Sequence, residues 1–125
     1  MHFVGKLNKE IFCCISEEIR TDEVIITEDR INHIIERRGK EFYNKYSGMF
    51  RKIIEEPDYI FMDNENTALI CKKMESEGKT INLVVRLVLL SDNPEYKNSI
   101  ITAIGENESR FQRRLRNHVP LYKRG

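Results

Sequence analysis

The stretch Asp22–Gly39, DEVIITEDRINHIIERRG, decides how this chain is built. Val24, Ile25 and Ile26 form a short apolar run of strand character, and the next residue, Thr27, has the side chain of a helix N-cap. Glu28 and Asp29 suit the positive end of a helix dipole, Arg37 and Arg38 suit the negative end, and Gly39 is a natural stop. The pattern therefore predicts a helix over Glu28–Arg38. Ile31, Ile34 and Ile35 make its apolar stripe, while Arg30, His33 and Arg37 follow i, i+3, i+7 on a neighbouring face. A strand thus hands over to a helix that carries a histidine between arginines.

Upstream, His2–Leu7 and Glu10–Ile15 are short apolar-rich runs around Asn8-Lys9, a spacing that predicts a small hairpin. Downstream, Phe42, Tyr46, Met49, Phe50, Ile53 and Ile54 recur at helical spacing and predict a second helix over Lys40–Glu55, interrupted in propensity by Gly48 and ended before Pro57. From there the period changes. Asp58–Asp63, Thr67–Met74, Ile81–Leu90 and Asn98–Ile104 are β-rich runs joined by hairpin-length breaks, so the sheet is expected to be antiparallel with Ile81–Leu90 at its centre. Asn107 caps a last, basic helix to about Asn117, and Val119–Tyr122 reads as a closing strand or an extended tail. The expected class is α+β: an N-terminal hairpin and two helices packed on a four- to five-stranded antiparallel sheet, with a short C-terminal basic helix. Residues 1–125 read as one domain without internal repeat or linker.

With 33% charged and 40% hydrophobic residues the composition is that of a folded globular chain rather than a disordered one. The formal net charge is only +1, yet Arg110, Arg113, Arg114, Arg116, Lys123 and Arg124 fall in a tail without acids, so a basic face is open to a neutral protein. Cys13, Cys14 and Cys71 show no CxxC or Cys/His ligand spacing and read as reduced thiols. No apolar run reaches the ~18 residues of a membrane helix, and the expected location is cytoplasmic. Gly-rich phosphate loops, GxSxG, HExxH and metal-ligand clusters are absent, so no cofactor or metal is expected.

Several residues have the chemistry for a site. His33 is either an ordinary helix-surface histidine or a general acid or base, a role its titration near neutral pH allows. Arg86, inside NLVVRLVLL, either points out of the sheet, pairs with Asp58 or Asp63, or reaches toward an anionic phosphate. Ser99 and Thr102, in KNSIIT, offer hydroxyls beside Lys97 and Asn98. A regular strand puts positions 99 and 102 on opposite faces, so they serve one site only if a bulge or a strand start lies between them. Lys72, Tyr122 and Lys123 are weaker candidates on spacing alone. The arginines of the last helix either bind phosphate or form a solvated face.

Taken in order, VIITEDRINHIIERRG, a helix ending EEPDYIFMD, a strand with Lys72, LVVRL, KNSIIT and a final LYK resemble the phage-associated branch of the barnase–EndoU–colicin–RelE ribonuclease superfamily. The resemblance implies helices followed by an antiparallel sheet whose face holds the active site, and metal-independent cleavage of RNA, often transfer RNA. It also implies a setting in toxins, phages or mobile elements. A toxin would carry a cognate inhibitor and act in the cytoplasm of a target cell. By resemblance the family's helix histidine falls on His33, its strand arginine on Arg86, its late hydroxyls on Ser99 and Thr102 and its closing Tyr-Lys on Tyr122 and Lys123. The expected catalytic residues are therefore His33, Arg86, Thr102 and Ser99, and the expected RNA-binding residues are Arg30, Arg37, Arg38, Lys72, Asn98, Tyr122 and Lys123.

Many relatives carry a second histidine near the end of the first helix, where this chain has Arg38, a residue that holds phosphate but is a poor proton donor. The alternative is therefore a non-catalytic RNA- or protein-binding module that keeps the nuclease fold. A further one is a structural protein of a mobile element that uses the second helix as a partner surface.

Overall fold

The computed structural model describes Met1–Gly125. Seven strands form one sheet: β1 (His2–Lys6), β2 (Glu23–Ile26), β3 (Tyr59–Met62), β4 (Thr67–Met74), β5 (Lys79–Arg86), β6 (Asn98–Asn107) and β7 (Tyr122–Lys123), in the order β1-β2-β6-β5-β4-β3-β7. Every pairing is antiparallel except β2 with β6. The fold is α+β as expected, and β5 is the central strand. The sheet is larger than the four to five strands expected, because β1 and β2 join it at one edge and the closing β7 at the other.

The helix expected over Glu28–Arg38 forms with those limits as α2. Thr27 Oγ1 accepts from the Arg30 backbone N–H at 3.3 Å. Gly39 ends the helix at φ 97°, a left-handed backbone that an L side chain resists, and α3 (Lys40–Tyr46) begins at once. The long second helix is split. A 3₁₀ turn at Ser47–Met49 separates α3 from α4 (Phe50–Glu55), and Tyr46 and Phe50 on either side of it are both buried in the core.

The expected N-terminal hairpin is not formed. Asn8 caps a single helical turn, α1 (Lys9–Phe12), by accepting from Glu10 N at 2.9 Å, and Phe12 is wholly buried. β1 pairs instead with β2, across the intervening segment. The expected Ile81–Leu90 strand also stops early. Leu87 and Val88 stay buried but leave the ladder, because Arg20 N bonds Val88 O, Leu90 N bonds Glu18 O, and Ile19 bridges Leu89. The connection to β6 is therefore a longer loop than a hairpin turn.

The two sheet faces are covered unequally. One face packs under α1–α4 in the main core, which includes Phe12, Ile34, Ile54, Ile70, Leu83 and Ile100. The other carries a smaller cluster (Tyr59, Phe61, Leu69, Cys71, Val84) covered by Phe111 of α5 (Glu108–Asn117). Phe111 sits edge-on to Tyr59 and Phe61, at ring separations of 5.1 and 6.4 Å. Beneath α5, Arg114 donates to Glu106 at 3.0 and 2.9 Å, and Asn82 donates to the same carboxylate. That bidentate partner raises the Arg114 pKa further, and burial pushes the Cys71 thiol up strongly. No helix is long and apolar enough to cross a membrane.

Candidate active site

Because α5 covers only part of its sheet face, the end of β5 and the start of β6 are left open there. Arg86 pairs in register with Ser99 on one side and Thr67 on the other, and alternates with Val84 of the smaller cluster. It therefore points to the face that α5 partly covers. Ser99 shares that face as its cross-strand neighbour. The β5–β6 register shifts between Val84 and Val85, which pair with Thr102 and Ile100, so Ile101 is an extra residue in β6. That bulge puts Thr102 opposite Val84, and hence on the same face as Ser99 and Arg86. The Thr102 hydroxyl is buried and has no hydrogen-bond partner.

A concavity of about 440 Å³ opens at this corner, lined among others by Ile25, Thr27, Arg86, Tyr96, Lys97 and Ser99. Lys97 is held by an ion pair to Glu23, whose carboxyl it keeps below the usual range. Arg86 is exposed and forms no ion pair, so its five donors are free at the rim. Thr27, the cap of α2, reaches the concavity. His33 lies six residues further along, about 9 Å down the helix axis, and is not part of the lining. It is half-buried and makes no side-chain hydrogen bond. α2 runs beside β6, and Arg38 Nε donates to Ala103 O of that strand at 3.0 Å.

Other sequence candidates are placed elsewhere. Lys72 alternates with Ile70 of the main core, so it points to the opposite face. There Nζ donates to Glu56 O at 2.6 Å and lies 3.7 Å from Asp58. Asn98 is wholly buried and fully used, donating to Thr21 O and Glu23 O at 2.7 and 2.9 Å and accepting from Val88 N at 2.8 Å. Tyr122 packs on the main core from the sheet's far edge. Lys123 is exposed on that edge strand, separated from β5 by β3 and β4. At about 4.8 Å per strand that is some 14 Å sideways. Arg30 and Arg37 are exposed on α2 and unpaired, as are Arg110, Arg113 and Arg116 on α5. Arg86, Ser99 and Thr102 thus share the sheet face that α5 partly covers, with Arg86 and Ser99 in the concavity, while α2 with His33 packs on the other face and Lys72, Asn98, Tyr122 and Lys123 lie apart. Tyr96, 61% exposed in the lining, was not singled out by sequence. Its one signal was an aromatic in a polar, Pro-containing loop.

The family described as phage-Barnase-EndoU-ColicinE5/D-RelE like nuclease2 matches residues 3–123. No curated protein and no solved structure matches the chain.

Proposed function

Because the chain belongs to the phage Barnase-EndoU-ColicinE5/D-RelE-like nuclease family, its substrate is a nucleic acid, and we propose that this substrate is RNA, cut internally without a metal ion. The observation that carries the reading is the unpaired Arg86 guanidinium beside Ser99, with the bulge at Ile101 turning Thr102 to the same face. A free planar cation with a neighbouring hydroxyl suits a phosphodiester, whose charge rises as a fifth oxygen joins phosphorus.

In this mechanism the phosphate sits on Arg86, with Ser99 donating to a non-bridging oxygen. Thr102, whose hydroxyl is buried on the same sheet face, lies outside the lining of the concavity. His33 is the proposed base for the ribose 2′-hydroxyl proton, which requires the RNA to reach from the Arg86 face past Thr27 to α2; the 2′-oxygen bonds to phosphorus, and the bond to the 5′-oxygen breaks. The leaving oxygen is protonated from water, giving a 2′,3′-cyclic phosphate and a 5′-hydroxyl. Arg30, Arg37 and the exposed arginines of α5 bind flanking phosphates through long-range charge. Transfer RNA is the substrate proposed, and the setting is a phage or a toxin with a cognate inhibitor.

The second reading, an RNA-binding module without catalysis, is favoured by one observation: His33 lies outside the Arg86 concavity, on a helix packed against the other face of the sheet. Incubating the protein in EDTA with a transfer RNA and with a DNA of the same sequence separates the two. Cleavage of the RNA alone is expected, because DNA lacks the attacking hydroxyl. Binding without cleavage of either strand overturns the nuclease reading.

A further inference from the structure

We propose that Tyr96 is the platform on which one base of the RNA stacks while the adjacent phosphate sits on Arg86. The proposal rests on the reading of the chain as an RNA-binding nuclease and adds to it where the base goes.

Tyr96 is 61% exposed and lines the same concavity as Arg86 and Ser99. A large aromatic ring left that open, with no side-chain hydrogen bond, is poorly explained by the protein's own packing. Its loop is nonetheless held in place. Tyr96 N donates to Asn93 O at 3.0 Å, and Glu95 N donates to Asn93 Oδ1 at 2.9 Å, closing a turn directly before the ring. Arg20 holds the loop's entry by donating to Asp92 O at 3.0 Å, and buried Asn98 holds its exit through three hydrogen bonds. The ring is therefore presented from a fixed turn, which lowers the ordering cost of binding.

Charge divides the concavity in the same sense. The rim around Tyr96 carries Asp92 and Glu95, which repel a phosphate but tolerate a base; its Lys97 is engaged by Glu23, so the free side-chain cation of the lining is Arg86. Phosphate at Arg86 and base at Tyr96 is the one orientation that satisfies both ends. Tyr122, the aromatic suggested by resemblance, points into the main core and cannot serve the same corner.

The test uses the full chain and a fluorescently labelled single-stranded RNA with 2′-O-methyl riboses, which blocks 2′ attack, beside an abasic strand of equal length. Anisotropy gives the affinity of the wild type, Tyr96→Phe and Tyr96→Ala for each. A base stacked on an aromatic ring corresponds to about 5- to 150-fold in affinity. Tyr96→Ala is expected to lose that factor on the base-bearing strand and nothing on the abasic one, with Tyr96→Phe close to wild type. Equal binding of the base-bearing strand by wild type and Tyr96→Ala overturns the proposal, as does an equal loss on both strands or a wild type without preference for bases. A protein that fails to cut unmodified RNA but keeps the Tyr96-dependent preference loses the catalytic reading and retains this one.

Discussion

Arg86 and Lys72 are both strand cations, and the structure expects their removal to have opposite consequences. Arg86→Ala takes away an exposed, unpaired guanidinium. An exposed group without a partner contributes within about ±0.5 kcal/mol to stability, so Tm moves by no more than about 2 °C. If the guanidinium bears on the phosphate's developing charge, kcat falls by about 10²–10³. Arg86→Lys keeps charge but not the fork, and falls between. Lys72→Met removes a side chain that is 10% exposed, donates to Glu56 O at 2.6 Å and faces Asp58. A hydrogen bond from a charged donor corresponds to about 1.5–3 kcal/mol, which lowers Tm by roughly 6–12 °C for a chain of this size. Its kcat well below Tm stays near wild type. Parallel melting curves and single-turnover RNA cleavage read both quantities. Undiminished cleavage by Arg86→Ala refutes the placement of the site. So does a Lys72→Met protein that keeps its Tm and loses its rate.

Three further outcomes are expected. Arg114→Met strands the Glu106 carboxylate, 9% exposed, under α5. Discounted for the partly exposed arginine, the loss is about 2–3 kcal/mol, and in chemical denaturation it should be smaller in the Glu106→Gln background. Arg38→Ala removes the bond to Ala103 O, about 0.5–1.5 kcal/mol. Hydrogen exchange should then quicken in the last turn of α2 but not in β5. Alkylation followed by mass spectrometry should modify Cys13 first, Cys14 slowly and Cys71 only on unfolding. Cys71 holds its proton in the folded chain above its ordinary value of 9.0, whereas the unfolded chain releases it. Stability should therefore fall as pH rises through about 9, and Cys71→Ser should flatten that fall.

Local chemistry was readable where a few adjacent residues decide the outcome. Thr27, the acidic first turn and Gly39 set the limits of α2, and the apolar length of the LVV run placed β5 at the sheet centre. The requirement for a bulge between Ser99 and Thr102 followed from strand alternation alone, and the extra residue is Ile101. Partners distant in sequence were not readable. The pairing of β1 with β2 and the parallel contact of β2 with β6 depend on how the layers stack. β4 is buried on both faces over Thr67–Lys72, so no polar alternation could show that Lys72 turns away from Arg86. Asn98 looked available for RNA because its buried carbonyl partners lie in distant segments. Tyr122 shows the same limit: strand character was visible, but not which face it would supply.

The direct test of 2′-hydroxyl attack at the Arg86 corner is the mass of the upstream fragment's new 3′ end after cleavage in EDTA, for wild type and His33→Ala. A 2′,3′-cyclic phosphate from the wild type, with little product from His33→Ala, is the expected result. A free 3′-hydroxyl end, or His33→Ala cutting as fast as wild type, contradicts it.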